Sequence, residues 1–160
     1  MLTRLRSLEQ LMPFATAGEL LAQKQRAVIG VAPATTAIAA LRTMQDENIG
    51  FLPVLDDGSL VGAVAERDIA RGVILERRTL VREIMTTRLH TVGRATRVPE
   101  CLGIMHDAHI RHLPVMAGQR VAGVLSIRDL TGSLIGRHER LLRKLDAERV
   151  MLRFPYSSSY

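Results

Sequence analysis

Asp68 and Asp129 are the residues best placed for chemistry in this sequence. Each stands one turn beyond the end of an apolar, strand-like run and at the start of a helix-like one. A carboxylate there can accept both hydroxyls of a ribose, while the unpaired N–H groups of the helix start offer donors to a phosphate. Arg67 and Arg128 precede them, and a guanidinium fork suits phosphate oxygens better than a point charge does. Ser126 lies three residues before Asp129 and adds a hydroxyl, whereas Ala65 holds the corresponding place before Asp68. Residue types alone leave the choice open. Either aspartate would also serve as a helix cap worth about 0.5–2 kcal/mol without any ligand, and Arg67 as a solvated surface charge.

The two candidate sites are copies of one another, because the chain repeats itself at a separation of 61 residues. Thirteen of the thirty-nine positions from Val31 to Ile69 are identical to their counterparts from Val92 to Leu130, where composition predicts roughly one match in fifteen. Leu52-Pro53-Val54 recurs as Leu113-Pro114-Val115, and Gly62 as Gly123. In the first copy Val28 to Val31 reads as an entry strand, and Thr35 or Thr36 caps a helix with an apolar stripe of Ile38, Leu41, Met44 and Ile49. Phe51 to Leu55 and Leu60 to Ala65 read as paired strands around Asp56-Asp57-Gly58, and a helix runs from Glu66 toward Leu75. The second copy follows with a helix over Val98 to Ala108, strands His112 to Met116 and Val121 to Ser126, and a turn at Ala117-Gly118-Gln119. Glu76-Arg77-Arg78-Thr79 reads as a polar linker and Val81 to Met85 as a short helix. A doubled unit suggests a pseudo-twofold axis with two related clefts. Pro53 and Pro114, lacking an N–H, would leave strand edges unpaired beside these clefts, open to a ligand's ring. Val31-Ala32 and Val92-Gly93 are the expected opposite walls, with His112 and Leu113 on the second copy's strand.

Composition bounds the rest. The 160 residues are 47% apolar, with no Trp, two Tyr and three Phe, so aliphatic side chains fill the core and a base-stacking platform is disfavoured. A repeat of about sixty residues is marginal alone, and the two copies are expected to share one core. Cys101, the single cysteine, sits on an apolar helical stripe and reads as a packed thiol in a reducing compartment. Ala15-Thr16-Ala17 resembles an export cleavage site, but Glu9, Gln10 and Pro13 interrupt the stretch before it; a cytoplasmic protein without membrane contact is expected. His106, His109 and His112 recur at spacings of three, yet the first ends a helix and the last opens a strand, so no metal site is expected. No nucleophile with a base, acid–base pair or Walker-type loop is present, and the chain reads as a non-enzyme. The net charge of +6, with Arg137, Arg140, Arg143 and Lys144 near the end, raises nucleic-acid binding as an alternative; Glu139, Asp146 and Glu148 interleave with those cations and favour a solvated face. Leu134, Leu141, Leu145 and Leu152 form a heptad-like seam, with His138 and Glu148 between, that fits either a dimer contact or packing on the body.

The blocks Gly50-Phe51-Leu52-Pro53-Val54 with Leu60-Val61-Gly62-Ala63-Val64-Ala65-Glu66-Arg67-Asp68, and Arg111-His112-Leu113-Pro114-Val115 with Val121-Ala122-Gly123-Val124-Leu125-Ser126-Ile127-Arg128-Asp129, resemble a tandem pair of CBS domains, the Bateman module. The resemblance covers about residues 19 to 152 and is nearest to small stand-alone bacterial CBS-pair proteins. It implies an α+β fold: two β-α-β-β-α repeats packed with pseudo-twofold symmetry, plus a C-terminal helix. The implied division is an extension over 1–18, repeats over 19–75 and 81–132, a linker over 76–80, a helix over 133–153 and a flexible tail over 154–160. It further implies a regulatory module that binds an adenosine ligand between its halves, AMP first, with ATP, NAD or S-adenosylmethionine as relatives, and that pairs into a homodimer acting on a protein target. Ser126 matches the small hydroxyl that the family uses beside the sugar. Ala65 departs from it, which weights the site toward Ser126, Arg128 and Asp129. Many relatives carry Gly where Arg128 stands.

Overall fold

The computed structural model describes residues 14–76 and 79–153. Its order is α1 (Ala17–Lys24), α2 (Ala37–Asp46), β1 (Phe51–Asp56), β2 (Ser59–Ala65), α3 (Glu66–Glu76), α4 (Val81–Ile84), β3 (Val92–Gly93), α5 (Val98–Asp107), β4 (His112–Ala117), β5 (Arg120–Ser126) and α6 (Ile127–Arg153). This is an α+β architecture of six helices and two small sheets among the described residues.

The hairpins follow from their turns. Asp57 and Gly58 both have positive φ (47° and 80°), the geometry that matches the twist of a two-residue hairpin, and Gly118 (φ 63°) serves the second. Both hairpins carry the same irregularity, between Val54 and Leu55 and between Val115 and Met116. The entry strands are shorter than the pattern suggests. Val31 makes a single parallel bridge to Val54, and β3 pairs two residues with Val115 and Met116.

α2 is capped by Thr36, whose hydroxyl accepts from the Ala39 N–H at 3.2 Å. Its buried stripe is Ala37, Ala40 and Met44, while Ile38 is 59% exposed. Of the expected stripe, Met44 is buried and Leu41 and Ile49 pack against the first core, while Ile38 faces outward and Ala37 and Ala40 take the close contact, because small residues allow the helix to lie close to the sheet. α5 repeats this face as Val98, Cys101 and Met105. Both helices end in the same reversal: Ile49 N–H donates to Met44 O (2.9 Å) and Ile110 N–H to Met105 O (3.0 Å), with Asn48 and His109 in the left-handed region.

Two cores form rather than one. The first gathers α2, β1, β2 and α3 around Leu52, Val54, Val64 and Ile69. The second gathers α5, β3, β4, β5 and α6 around Leu113, Val115, Leu125 and Leu130. Each is completed by a helix that precedes the other repeat. α1 inserts Ala17 and Leu20 into the second core, and α4 inserts Val81 into the first. Matching backbone bonds hold the crossovers: Ala17 N–H to Thr96 O (2.8 Å) and Val98 N–H to Ala15 O (3.0 Å), against Val81 N–H to Thr35 O (2.9 Å) and Ala37 N–H to Thr79 O (2.7 Å). Gly62 and Gly123 recur because these helices pass close to the strands. A Cβ at Gly123 would stand 2.6 Å from Leu21, and one at Gly62 2.6 Å from Met85.

α1 carries its own start signal. Thr16 accepts from the Glu19 N–H at 3.2 Å while the Glu19 carboxylate accepts from the Thr16 N–H at 2.7 Å. The residues that resembled a cleavage site are thus a helix cap, and the division at residue 18 falls inside this helix. Thr16 and its counterpart cap Leu80 are 64 residues apart, so the lead into the first repeat is three residues longer than the 61-residue period.

α6 leaves the body as it proceeds. Leu130 is buried and Leu134 packs on the second core, but Leu142 and Leu145 are about half exposed. Leu152, of the predicted seam, and the tail over 154–160 lie outside the residues whose side chains are described, as do Arg77 and Arg78. No described helix is long and apolar enough to cross a membrane.

Candidate functional site

The pseudo-twofold leaves two clefts between the halves. The larger, about 980 Å³, opens at the β5–α6 junction, where Ser126, Arg128 and Asp129 face the lead segment Ala27 to Ile29 and the end of α2. The smaller, about 270 Å³, opens at the β2–α3 junction, where Arg67 and Asp68 face Thr86, Arg88 and His90. Gly50, Phe51, Glu66, Arg111 and His112 line both. Phe51 and His112 are equivalent positions of the two repeats, and their rings stack with centroids 4.9 Å apart and planes 15° from parallel. They form the partition between the clefts.

The two aspartates differ in their surroundings. Asp129 Oδ2 accepts from the Ser126 N–H (2.7 Å), the Ser126 hydroxyl (2.7 Å) and the Lys24 ammonium (2.8 Å). Lys24, in the last turn of α1, also donates to Val124 O at 3.2 Å. Burial pushes the Asp129 carboxyl up, but the hydrogen bonds from Lys24 and from both groups of Ser126 outweigh it and hold the carboxyl below its ordinary value. Asp68 accepts from the Ala65 N–H at 3.3 Å and lies 3.6 Å from the Arg67 guanidinium. Both carboxylates therefore do cap their helices, and Asp129 in addition faces the larger volume.

The larger cleft is electropositive. Lys24, Arg26, Arg111 and Arg128 line it against two carboxylates, Glu66 and Asp129. Arg26 is held in place by the Glu47 carbonyl at 2.6 Å. Burial lowers the His112 pKa from its ordinary 6.5; Asp129 opposes that shift, while Arg111 and Lys24 add to it. A carboxylate at a helix start, an apolar wall and converging cations can together hold a polar ring-bearing anion.

Of the residues singled out from sequence, the structure gathers Ser126, Arg128, Asp129 and His112 in the larger cleft and Arg67, Asp68, His112 and Pro114 in the smaller. Val31, Ala32, Pro53, Val92 and Leu113 line neither. Leu113 and Val92 point into the second core, Val31 packs on the first, and Ala32 closes a turn onto Thr35. Pro53 is buried, and its carbonyl accepts from the Val31 N–H at 3.1 Å, so the strand edge it was expected to leave open is paired. The walls come instead from Ala27 to Ile29 and from Arg88 to His90, a few residues earlier in each lead. Lys24 was not legible, because its role depends on α1 crossing to the other repeat. Among the described residues no cluster of three or more histidine, cysteine or acidic groups is arranged to hold a metal ion. Cys101 is buried, and burial, then the Glu100 charge, raises its pKa.

The CBS-domain family model matches twice, at residues 18–74 and 81–136. The CBS domain-containing protein CBSX3, mitochondrial, of Arabidopsis thaliana is 34% identical over 121 residues; the match covers 70% of this chain and 59% of that protein's length. A solved protein with CBS domains from Burkholderia ambifaria is 34% identical, with a TM-score of 0.72 over 76% of this chain and 95% of that one. A CBS domain pair solved in complex with 5′-methylthioadenosine and S-adenosyl-L-methionine shares the fold at 24% identity, with a TM-score of 0.72 over 78% of this chain and 99% of that one.

Proposed function

Because this chain belongs to the CBS-domain family, we propose that it is a non-enzymatic regulatory module that binds an adenosine nucleotide, AMP foremost, in the larger cleft. The observation that carries this reading is the Ser126–Asp129 carboxylate at the head of α6, facing a volume of about 980 Å³ bordered by Lys24, Arg26, Arg111 and Arg128. That size lies within the range of small-molecule sites. The carboxylate would accept the ribose hydroxyls, the apolar side chains of Val28 and Ile29 would flank the ring, and the cations would face the phosphate. The related CBS pair that binds 5′-methylthioadenosine supports an adenosine-shaped ligand. In this reading the ligand bridges the repeats and changes how α6 presents its exposed Leu142 and Leu145 to a second copy or to a target.

Thermal melts with and without AMP test the proposal. Ligand at a hundred times its dissociation constant stabilises the fold by about 2.7 kcal/mol, which for a chain of this size raises Tm by roughly 5–10 °C. Asp129→Ala is expected to lose most of that rise while its own apo melt stays cooperative. Equal shifts in variant and parent would reject the ribose assignment.

A further inference from the structure

Lys24 is the feature of the larger cleft that a simple ribose site does not require. It reaches from the last turn of α1, a helix that belongs to the lead of the first repeat, to the carboxylate of the second. Its ammonium is 2.8 Å from Asp129 Oδ2, the same oxygen that already accepts two 2.7 Å bonds from Ser126. Three donors saturate that oxygen. Both partners are only partly exposed, 32% for the Lys24 side chain and 23% for that of Asp129, so neither is freely solvated if the pair is broken. Around them four cations border the cleft against two carboxylates.

We propose that Lys24 is the specificity-determining residue of this cleft: it competes with the ribose hydroxyls for Asp129 Oδ2, one of the two carboxylate oxygens a ribose would engage, and an entering adenosine ligand that takes this oxygen must offer the ammonium a new anionic partner in exchange. The inference rests on the adenosine reading above. A phosphorylated nucleoside makes the exchange complete, since the sugar takes Asp129 and the phosphate takes the displaced ammonium together with its arginine neighbours. A neutral nucleoside does only half of it. Engaging Asp129 Oδ2 takes from Lys24 its direct hydrogen-bonded anion and leaves the ammonium in a lining where cations outnumber carboxylates, and a sulfonium ligand adds a further positive charge to the same place. The smaller cleft lacks this pairing: Arg88 stands at the position equivalent to Lys24 and lines the cleft, but the partners of Asp68 are Arg67 and the Ala65 N–H.

Titration calorimetry with AMP, adenosine and 5′-methylthioadenosine on the full chain tests this, using the parent, Lys24→Met and Lys24→Arg. The parent is expected to bind AMP about 30-fold or more tighter than either uncharged ligand, as the charge-assisted hydrogen bond between ammonium and phosphate requires. Lys24→Met keeps the apolar stem and leaves Asp129 its two Ser126 donors. It should bind adenosine severalfold more tightly and AMP more weakly than the parent, bringing the preference down to about fivefold or less; Lys24→Arg should restore most of it. Opposite changes for the two ligands are what a purely structural lysine would not produce. A parent that binds AMP and adenosine equally, or a Lys24→Met variant that keeps the parent's preference, overturns the role of Lys24 while leaving the adenosine site standing. A parent that binds none of the three overturns the site itself and this role with it.

Discussion

At the scale of single residues, His112 reports how the partition between the clefts responds to acid. Its ring is stacked on Phe51 and half-buried, and burial holds its pKa below the ordinary 6.5. The sign follows from linkage. Below the ordinary value the unfolded chain binds a proton that the folded chain resists, so the stability associated with His112 is full above 6.5 and declines as pH falls from there through the folded pKa. His112→Phe preserves a ring against Phe51 and removes the titration. Melts from pH 7.5 down to 5.5 should show the parent losing stability relative to this variant, with the two converging toward neutral pH. Parallel curves across the range would mean that His112 takes up its proton as easily folded as unfolded, through an opening of the stack.

At the scale of elements, the shared reversal at the ends of α2 and α5 sets up a comparison within one molecule. Asn48 and His109 occupy equivalent left-handed positions with φ of 50° and 54°, where any Cβ is strained and the short amide side chain of asparagine offsets that strain better than an imidazole does. His109→Gly is expected to stabilise the fold by about 1 kcal/mol and raise Tm by about 2–4 °C, and Asn48→Gly to gain less. Calorimetry on both variants checks the order, and a larger gain at Asn48 would place the strain elsewhere. The same elements show what the sequence makes legible. Asp57-Gly58 and Gly118 announced the hairpins, because turn chemistry is local. The α2 stripe was harder: alanines at 37 and 40 face the core where Ile38 does not, since close packing against a sheet selects size before hydrophobicity. α1 was not legible even though Thr16 and Glu19 spell a capping box. Eight residues held by tertiary contacts carry little periodicity, and the 64-residue spacing of their cap hid them from a 61-residue repeat. Lys24 went unseen with them. The ribose-facing end of the larger cleft, Ser126 to Asp129, was legible because it sits at a strand–helix junction fixed by the repeat, whereas the opposite wall depends on how irregular leads are threaded.

At the scale of the whole molecule, the crossed helices decide whether the two repeats are separable. A core of about eight to ten buried residues, as each half has, is marginal on its own, and each here takes an essential part from the other half's lead. Damage to α1 should therefore be felt in the second repeat, about a hundred residues away in sequence. Leu20 is 6% exposed and packs in the second core. Leu20→Ala is expected to cost about 2–4 kcal/mol, the usual range for a buried leucine, and to raise amide exchange throughout β4 and β5 before β1 and β2. Val81→Ala should produce the reverse pattern through α4, at a smaller cost because valine buries less surface. Hydrogen exchange followed by mass spectrometry resolves the two halves. If Leu20→Ala loosened only α1 itself, the second core would be self-sufficient, and the lead would be an attachment. If exchange instead spreads as expected, α1 is a structural member of the repeat it does not precede. The Lys24–Asp129 pair then joins the larger cleft to the stability of that core, so a ligand that displaces Lys24 acts on both halves at once.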